Sequence, residues 1–401
     1  MLDVTRLRRS FPALAEGVAH FDGPGGSQVP EAVARAVAET LTSGIANRGH
    51  TTAAERRAEA VVVAARQAAA DEVGGVPGGV VFGRSMTALT FDLARTLARG
   101  WAPGDEVVVT RLDHDANIRP WVRAAEAVGA TVRWAPFDRD TGELPVAAVT
   151  DLLTERTRLV AVTAASNLLG TRPDVRAVAD AAHAVGALVH VDGVHLTPHA
   201  PVDAPALGAD VYAWSPYKVL GPHLGVLVAD PALLETLHPD KLLPSTDAVP
   251  ERFELGTLPY ELLAGTTAAV DVVAGLAPGR GARRDRVLAA MAAVEAHEER
   301  LADRLAAGLA ATDGVVLHGR PARRTPTLLF SVRGRTPREV SEGLAARGVN
   351  APAGSFYAVE AARWLGLGDA GAVRAGLAPY SDDSDVDRLL EGVADLARHA
   401  A

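Results

Sequence analysis

Lys218 sits in an apolar, aromatic run, DVYAWSPYKVLGPHLGVLVAD (210–230), and only Lys241 is another lysine among the 40 lysines and arginines of the chain. A guanidinium does not lose its proton in proteins, whereas an amine can lose one and attack a carbonyl. Lys218 is therefore the first candidate for a reacting group. Asp192, in VHVDGVH, precedes it by 26 positions, the distance from one strand end to the end of a later strand. A carboxylate facing such a lysine is what a pyridine cofactor needs. Pyridoxal phosphate binds as an imine on a lysine, and a carboxylate beside the ring nitrogen keeps it protonated, so that the ring takes up electrons from a substrate carbanion. Each residue alone has a plainer explanation: a turn aspartate before Gly193, and a salt-bridged loop lysine.

Other residues fit the same chemistry less specifically. VVFGRSMTALTFDLARTLA places Gly83, Ser85, Met86 and Thr87 between a strand and a helix. A helix start offers N–H groups to a phosphate, although a simple N-cap accounts for the same pattern. FDGPGGSQVP puts glycines before a helix, but the full G-x-G-x-x-G register and the G-x-x-x-x-G-K-[ST] motif are absent, so a close backbone approach to a substrate explains it better than a nucleotide. His114, in RLDHDANIRPW, stands between two aspartates. With DGVHLTPH the only other histidine-rich stretch, no metal site is expected, and a ring stacked on a cofactor suits His114 better. Arg374, in AVRAGLAP, has the planar fork that clamps a carboxylate, but it is one of many arginines. Ser215-Pro-Tyr-Lys218 also matches the S-x-x-K pattern of serine acyl enzymes; the S-D-N and K-T-G partners of that pattern do not occur.

The elements around these residues alternate. DEVVVT, ATVRWAPF, TRLVAVTAAS, ALVHVDG and ADVYAWS are β-rich runs separated by alanine-rich amphipathic stretches, which predicts an α/β layer with a mostly parallel sheet. In such sheets ligands gather beyond the carboxyl ends of the strands. Asp113 and His114, Ser166 and Asn167, Asp192 and His195, and Ser215 and Lys218 all follow strands, so four strand ends converge on one expected pocket. After about Gly275 the pattern turns to long Ala/Arg/Glu helices and short strands, which predicts a second, α+β domain. Ser384 and Asp387 have capping-box spacing for the last helix.

The 401 residues suffice for two domains, and 48% hydrophobic with 22% charged residues is ordinary for a globular protein. A net charge of −9 gives no footprint for nucleic acid or an anionic membrane. With no cysteine, disulfides, thiolate metal sites and thiol nucleophiles are excluded. No apolar run approaches the roughly 18 residues needed to span a bilayer, and the N-terminus lacks an apolar signal segment. A cytoplasmic protein with a small amino-acid or amine substrate is expected.

From HFDGPGGSQVP to VRAGLAPYSDDSDVD the chain resembles the class V, fold type I, pyridoxal-phosphate enzymes, and most closely their cysteine-desulfurase-like branch. The resemblance implies an N-terminal arm (1–15), a large cofactor-binding domain (16–270) and a small C-terminal domain (271–401), paired as a homodimer. It implies that His114 stacks on the ring, Asn167 contacts the ring hydroxyl, Asp192 meets the ring nitrogen and Lys218 carries the cofactor. Ser215, with Ser85, Met86 and Thr87, would serve the phosphate, and Thr257 in RFELGT would reach the phosphate of a neighbouring subunit. Arg374 would bind the substrate carboxylate. Three positions depart from the family. His195 stands for a glutamine and Tyr217 for a histidine beside the lysine, both still within the cofactor site. Tyr357, in NAPAGSFYAVE, occupies the place of the persulfide-forming cysteine. The implied activity is C–S lysis, elimination or desulfurase-like chemistry without a protein persulfide, with transamination, racemisation or a non-catalytic relative as alternatives.

Overall fold

Valine-rich runs such as EVVVT lack the polar alternation of a half-exposed strand, and β-branched residues apolar on both faces suit a sheet covered on both sides. The computed structural model, which describes residues 2–398, shows this arrangement. In chain order the strands are β1 (Ala19–His20), β2 (Val80–Gly83), β3 (Glu106–Thr110), β4 (Thr131–Ala135), β5 (Thr157–Thr163), β6 (Leu188–Asp192), β7 (Val211–Trp214), β8 (Gly225–Ala229), β9 (Val315–His318), β10 (Thr327–Val332), β11 (Val349–Asn350), β12 (Ala353–Gly354) and β13 (Ala372–Gly376).

Seven of them form one sheet in the order β2-β8-β7-β6-β5-β3-β4. Neighbours from β4 through to β7 pair in parallel, while β8 runs antiparallel to both β7 and β2. The carboxyl ends of β2, β3, β5, β6 and β7 therefore lie along one edge. Alternate residues feed two cores. Val107, Val109 and Ala161 pack with Leu93 and Trp121 on one face. Val108, Val160 and Val162 pack with Val62, Val178 and Met291 on the other.

A second, antiparallel sheet has the order β12-β13-β10-β9. Leu328, Phe330 and Val373 pack there against Leu301 and Leu305 of the helix Arg283–Ala310 and against Val386 and Leu389 of the helix Asp383–Arg398. β1 pairs in parallel with β11, so Ala19 and Phe21 join this third core although they lie near the start of the chain. Among the described residues no helix is long and apolar enough to cross a membrane.

The expected cap of the last helix is displaced. Ser384 lies inside that helix, and the reciprocal bonds are made by Asp382 and Asp385: Asp382 Oδ1 accepts from Asp385 N at 3.1 Å, and Asp385 Oδ2 accepts from Asp382 N at 3.2 Å. An aspartate carboxylate competes well with serine for the N-cap, and here it sits two residues earlier with a partner at the same spacing.

Candidate active site

Beyond the end of β2, Ser85 caps the helix Met86–Ala98, its Oγ accepting from Ala88 N at 3.1 Å. The first-turn N–H groups of that helix have no intrahelical acceptor. Gly225, at the start of β8, lets the turn come close: a Cβ there would lie 2.1 Å from Ser85 C and 2.3 Å from Met86 N. A chamber of ≈ 480 Å³, counting its open mouth, is lined by Ser85, Met86 and Thr87 together with Asp192 and Lys218. His114, Asn167, His195, Ser215 and Tyr217 complete its polar lining.

Lys218 ends a short 3₁₀ turn, Pro216–Lys218, directly after β7. The segment GPGGSQ fixes that turn: Ser27 N and Oγ donate to Tyr217 O at 3.1 and 3.2 Å, and Ser27 Oγ accepts from Leu220 N at 2.9 Å. Leu220 takes a left-handed conformation, φ 57°. Lys218 is buried, and among the described residues no hydrogen bond or ion pair holds its Nζ. Burial first, and the Arg374 charge second, push the amine below the usual lysine range. Asp192 is buried as well, with Oδ1 accepting from Val194 N at 2.9 Å, and burial pushes its carboxyl upward. His114 Nδ1 accepts from Ala116 N at 3.0 Å, and burial with the nearby Lys218 and Arg374 charges takes the ring down to about 3, so it is neutral. His195 is likewise neutral, held well below the imidazole range by burial and then by His199, Lys218 and Arg374.

A second chamber of ≈ 1020 Å³, counting its open mouth, shares His114, Asn167 and Lys218 with the first and adds Pro24, Gly25, Phe91, Phe356, Tyr357 and Arg374. Arg374, on β13, is 3% exposed. It donates Nη1 to Asn167 O at 2.8 Å, and its Cζ lies over the Phe356 ring, 3.8 Å from the centroid. Its Nε is buried without a partner among the described residues. Burial brings this guanidinium down to about 9, so it is a cation at neutral pH. Phe356 and Tyr357 are both left-handed, φ 54° and 58°, and their carbonyls accept from Asn167 Nδ2 at 2.9 Å and Asp115 N at 2.8 Å. The 74%-exposed Tyr357 ring faces His114 at 5.6 Å.

Two of the residues expected at strand ends turn away from the pocket. Asp113 is fully buried: Asn117 Nδ2 donates to Oδ1 at 2.6 Å and the Thr110 hydroxyl to Oδ2. Ser166 is fully buried too, with Oγ accepting from the N–H groups of Leu168 and Leu169 at 3.3 Å. Both side chains satisfy backbone or polar groups of their own turns. Thr257 is exposed and lines neither chamber. Sequence reasoning missed Phe91 and Phe356, since nothing in their spacing separates them from core aromatics.

Residues 19–389 match the family described as Aminotransferase class-V. The chain belongs to that family. As a member of that family it is a pyridoxal-phosphate-dependent enzyme of the class-V aminotransferase and cysteine-desulfurase-like kind. An uncharacterized protein of Mycobacterium tuberculosis is 38% identical over 98% of this chain and 99% of its own length. A probable cysteine desulfurase of Pseudomonas aeruginosa is 33% identical over 95% of each chain. The crystal structure of a cysteine desulfurase from Escherichia coli, with an S-sulfonic acid, is 28% identical with a TM-score of 0.87, covering 100% of this chain and 99% of the other. This class-V fold is the α/β fold type I expected from the alternating elements.

The site has features that suit pyridoxal phosphate. The glycine-cleared helix start offers N–H groups for a phosphate, Asp192 is a buried carboxylate with one bonded oxygen, and among the described residues Asn167 Oδ1 is buried without a partner and Lys218 Nζ has no hydrogen-bond or ion-pair partner.

Proposed function

We propose that the protein acts on a small α-amino acid by C–S lysis or a related elimination and releases the product directly. The carrying observation is that an unpaired, buried Lys218, a buried Asp192 and a cationic Arg374 border connected chambers, in a chain that has no cysteine and bears Tyr357 on the loop beside them. Bound pyridoxal phosphate would supply an electron sink for the pair left when the substrate loses its α-proton. Lys218 would hold the cofactor, and Asp192 would keep the ring nitrogen protonated. Asn167 would donate or accept at the ring hydroxyl, and His114 would cover the ring face as a neutral imidazole. Ser85, Met86, Thr87 and Ser215 would bind the phosphate, with His195 and Tyr217 completing the cofactor wall. Arg374 would take the substrate carboxylate on its Nε edge, because Nη1 is already committed to Asn167 O. The freed Nζ of Lys218 would take and return the α-proton, helped by its lowered proton affinity.

Tyr357 does not replace a thiol. A phenol, with a pKa of about 10, stays protonated at neutral pH and lacks the thiolate's affinity for sulfur. Any sulfur would therefore leave as free sulfide. We further read the enzyme as a homodimer divided near residue 270 into a large and a small domain. Leu243 is 97% exposed and Leu242 and Leu255 are also exposed, all on the stretch leading to Thr257, an apolar surface suited to a neighbouring subunit's cover.

The test is a visible spectrum of the purified protein, then a panel of amino acids assayed for sulfide, oxo acid, ammonia and inverted stereochemistry. Sulfide without any protein-bound sulfur by mass spectrometry supports the proposal. A stable protein persulfide overturns it, and sulfide-free turnover of another amino acid moves the assignment to transamination or racemisation.

A further inference from the structure

His195 and His199 lie four residues apart on the turn that follows Asp192, and both reach out of the seven-stranded sheet into the second domain. His195 Nε2 shares hydrogen bonds with Thr327 Oγ1 at 3.0 Å and Thr325 Oγ1 at 3.1 Å. His199 Nδ1 meets Glu298 Oε2 at 2.9 Å, on the helix Arg283–Ala310. The two rings touch edge to face at 5.2 Å, and all five side chains belong to buried residues.

Thr327 is the first residue of β10 and pairs with Gly376 of β13; two residues along the same ladder, Leu329 pairs with Arg374. The ladder has little freedom there. A Cβ on Gly376 would lie 2.1 Å from Pro24 Cγ and 3.2 Å from Thr327 Oγ1, Gly376 N donates to Phe21 O at 2.9 Å, and Leu377 N donates to Pro326 O at 3.1 Å. Thr327 is thus tied to Arg374 through a short, closely packed stretch of ladder. In the other direction His195 stands three residues from Asp192 on one tight turn.

We propose that His195 and Thr327 form a latch that sets the distance between the carboxylate clamp on β13 and the lysine and aspartate of the seven-stranded sheet. The latch makes Thr327 a positioning residue, acting through Arg374, and His199 with Glu298 braces the same turn. The proposal rests on the reading that Arg374 binds the substrate carboxylate. It would give the buried imidazole at position 195 a task besides any contact with the cofactor: bridging two domains through a ring nitrogen.

The probe is propionate, a carboxylate with no amine to react, titrated calorimetrically into the holoenzyme, alongside KM values for an amino-acid substrate and its decarboxylated amine. Thr327→Val keeps the shape and removes the hydroxyl. It should weaken propionate and raise the amino-acid KM about five- to tenfold, the range of coupled neighbours. The amine's KM and the cofactor's affinity and absorbance should stay at wild-type values, and Thr327→Ser should restore propionate binding. If Arg374→Lys weakens propionate while Thr327→Val does not, or if Thr327→Val affects amine and amino acid alike, the latch is wrong. If propionate binds equally to wild type and Arg374→Lys, the carboxylate reading itself fails.

Discussion

The two walls of the active site are built differently. The wall from the seven-stranded sheet carries Asp192 as the last residue of β6, and Lys218, Asn167 and His114 on the turns that directly follow β7, β5 and β3. The opposite wall, Arg374 with Phe356 and Tyr357, depends on contacts between residues far apart in sequence. Arg374 is held by Asn167 and Phe356, and two consecutive left-handed residues are tied down by Asn167 and Asp115. Non-glycine residues in that conformation persist where surrounding contacts over-determine them. Under the proposed function the sheet wall would supply chemistry common to many amino-acid reactions, and the second wall would choose the substrate.

Substitutions on the sheet wall should therefore stop the chemistry, and those on the second wall should change affinity. Lys218→Ala should abolish the visible cofactor–protein band and lower turnover by about 10³-fold or more, within the span of losing a general base and more when covalent attachment is lost too. An active, still-yellow variant with a protein imine would falsify the assignment of Lys218. Asp192→Asn keeps the shape and removes the charge, so α-proton exchange measured by deuterium incorporation should fall about 10²-fold, as for loss of one strong electrostatic contact. Exchange at the wild-type rate would remove Asp192 from the mechanism.

On the second wall, Arg374→Lys should raise KM for amino acids about tenfold and leave cofactor affinity alone, because the charge remains but the fork is lost. Phe356→Ala should act in the same direction by about three- to tenfold, in line with a desolvated cation–ring contact. A fall in kcat with unchanged KM would blur the distinction between the walls.

A smaller effect concerns stability. Burial, opposed by the Thr110 and Asn117 hydrogen bonds and assisted by the Asp192 charge, raises Asp113 to about 8 from a starting value of 3.8. Between those values the folded protein holds a proton that the unfolded chain has released. This group's contribution is thus fully present below the lower value and is lost as pH rises through the higher one. Asp113→Asn should flatten that decline, seen as a smaller drop in urea midpoint between pH 5 and pH 8 than in the wild type. A steeper drop in the variant would contradict the buried, proton-holding state. Tyr357→Ala should matter least for stability, within about 0.5 kcal/mol, because the side chain is mostly exposed; thermal unfolding decides it.

The difference between the walls is also a difference in what sequence makes visible. Lys218 was conspicuous because lysine is so rare in this chain, and Asp192 because it ends a valine-rich strand. Both signals are local. Arg374 had no local signal among so many arginines and was singled out only through the resemblance of VRAGLAPY to a family segment. Asp113 and Ser166 were expected in the pocket, since a residue type after a strand does not say which way its side chain turns. Phe356 was not anticipated at all: its role depends on a guanidinium 18 positions later being laid against its ring.

The alternation of valine-rich strands with alanine-rich helices determined the α/β layer by itself, since strands apolar on both faces require cover on both sides. The sequence also placed a lysine and an aspartate at the ends of two such strands and withheld any thiol. Only the tertiary structure decided that His195 reaches Thr327, that Gly225 clears the helix start for the Ser85 turn, and that Arg374 keeps one edge free beside Lys218. Those outcomes depend on side-chain direction and on the distance between two sheets, and both are set by long-range packing, which no local pattern encodes.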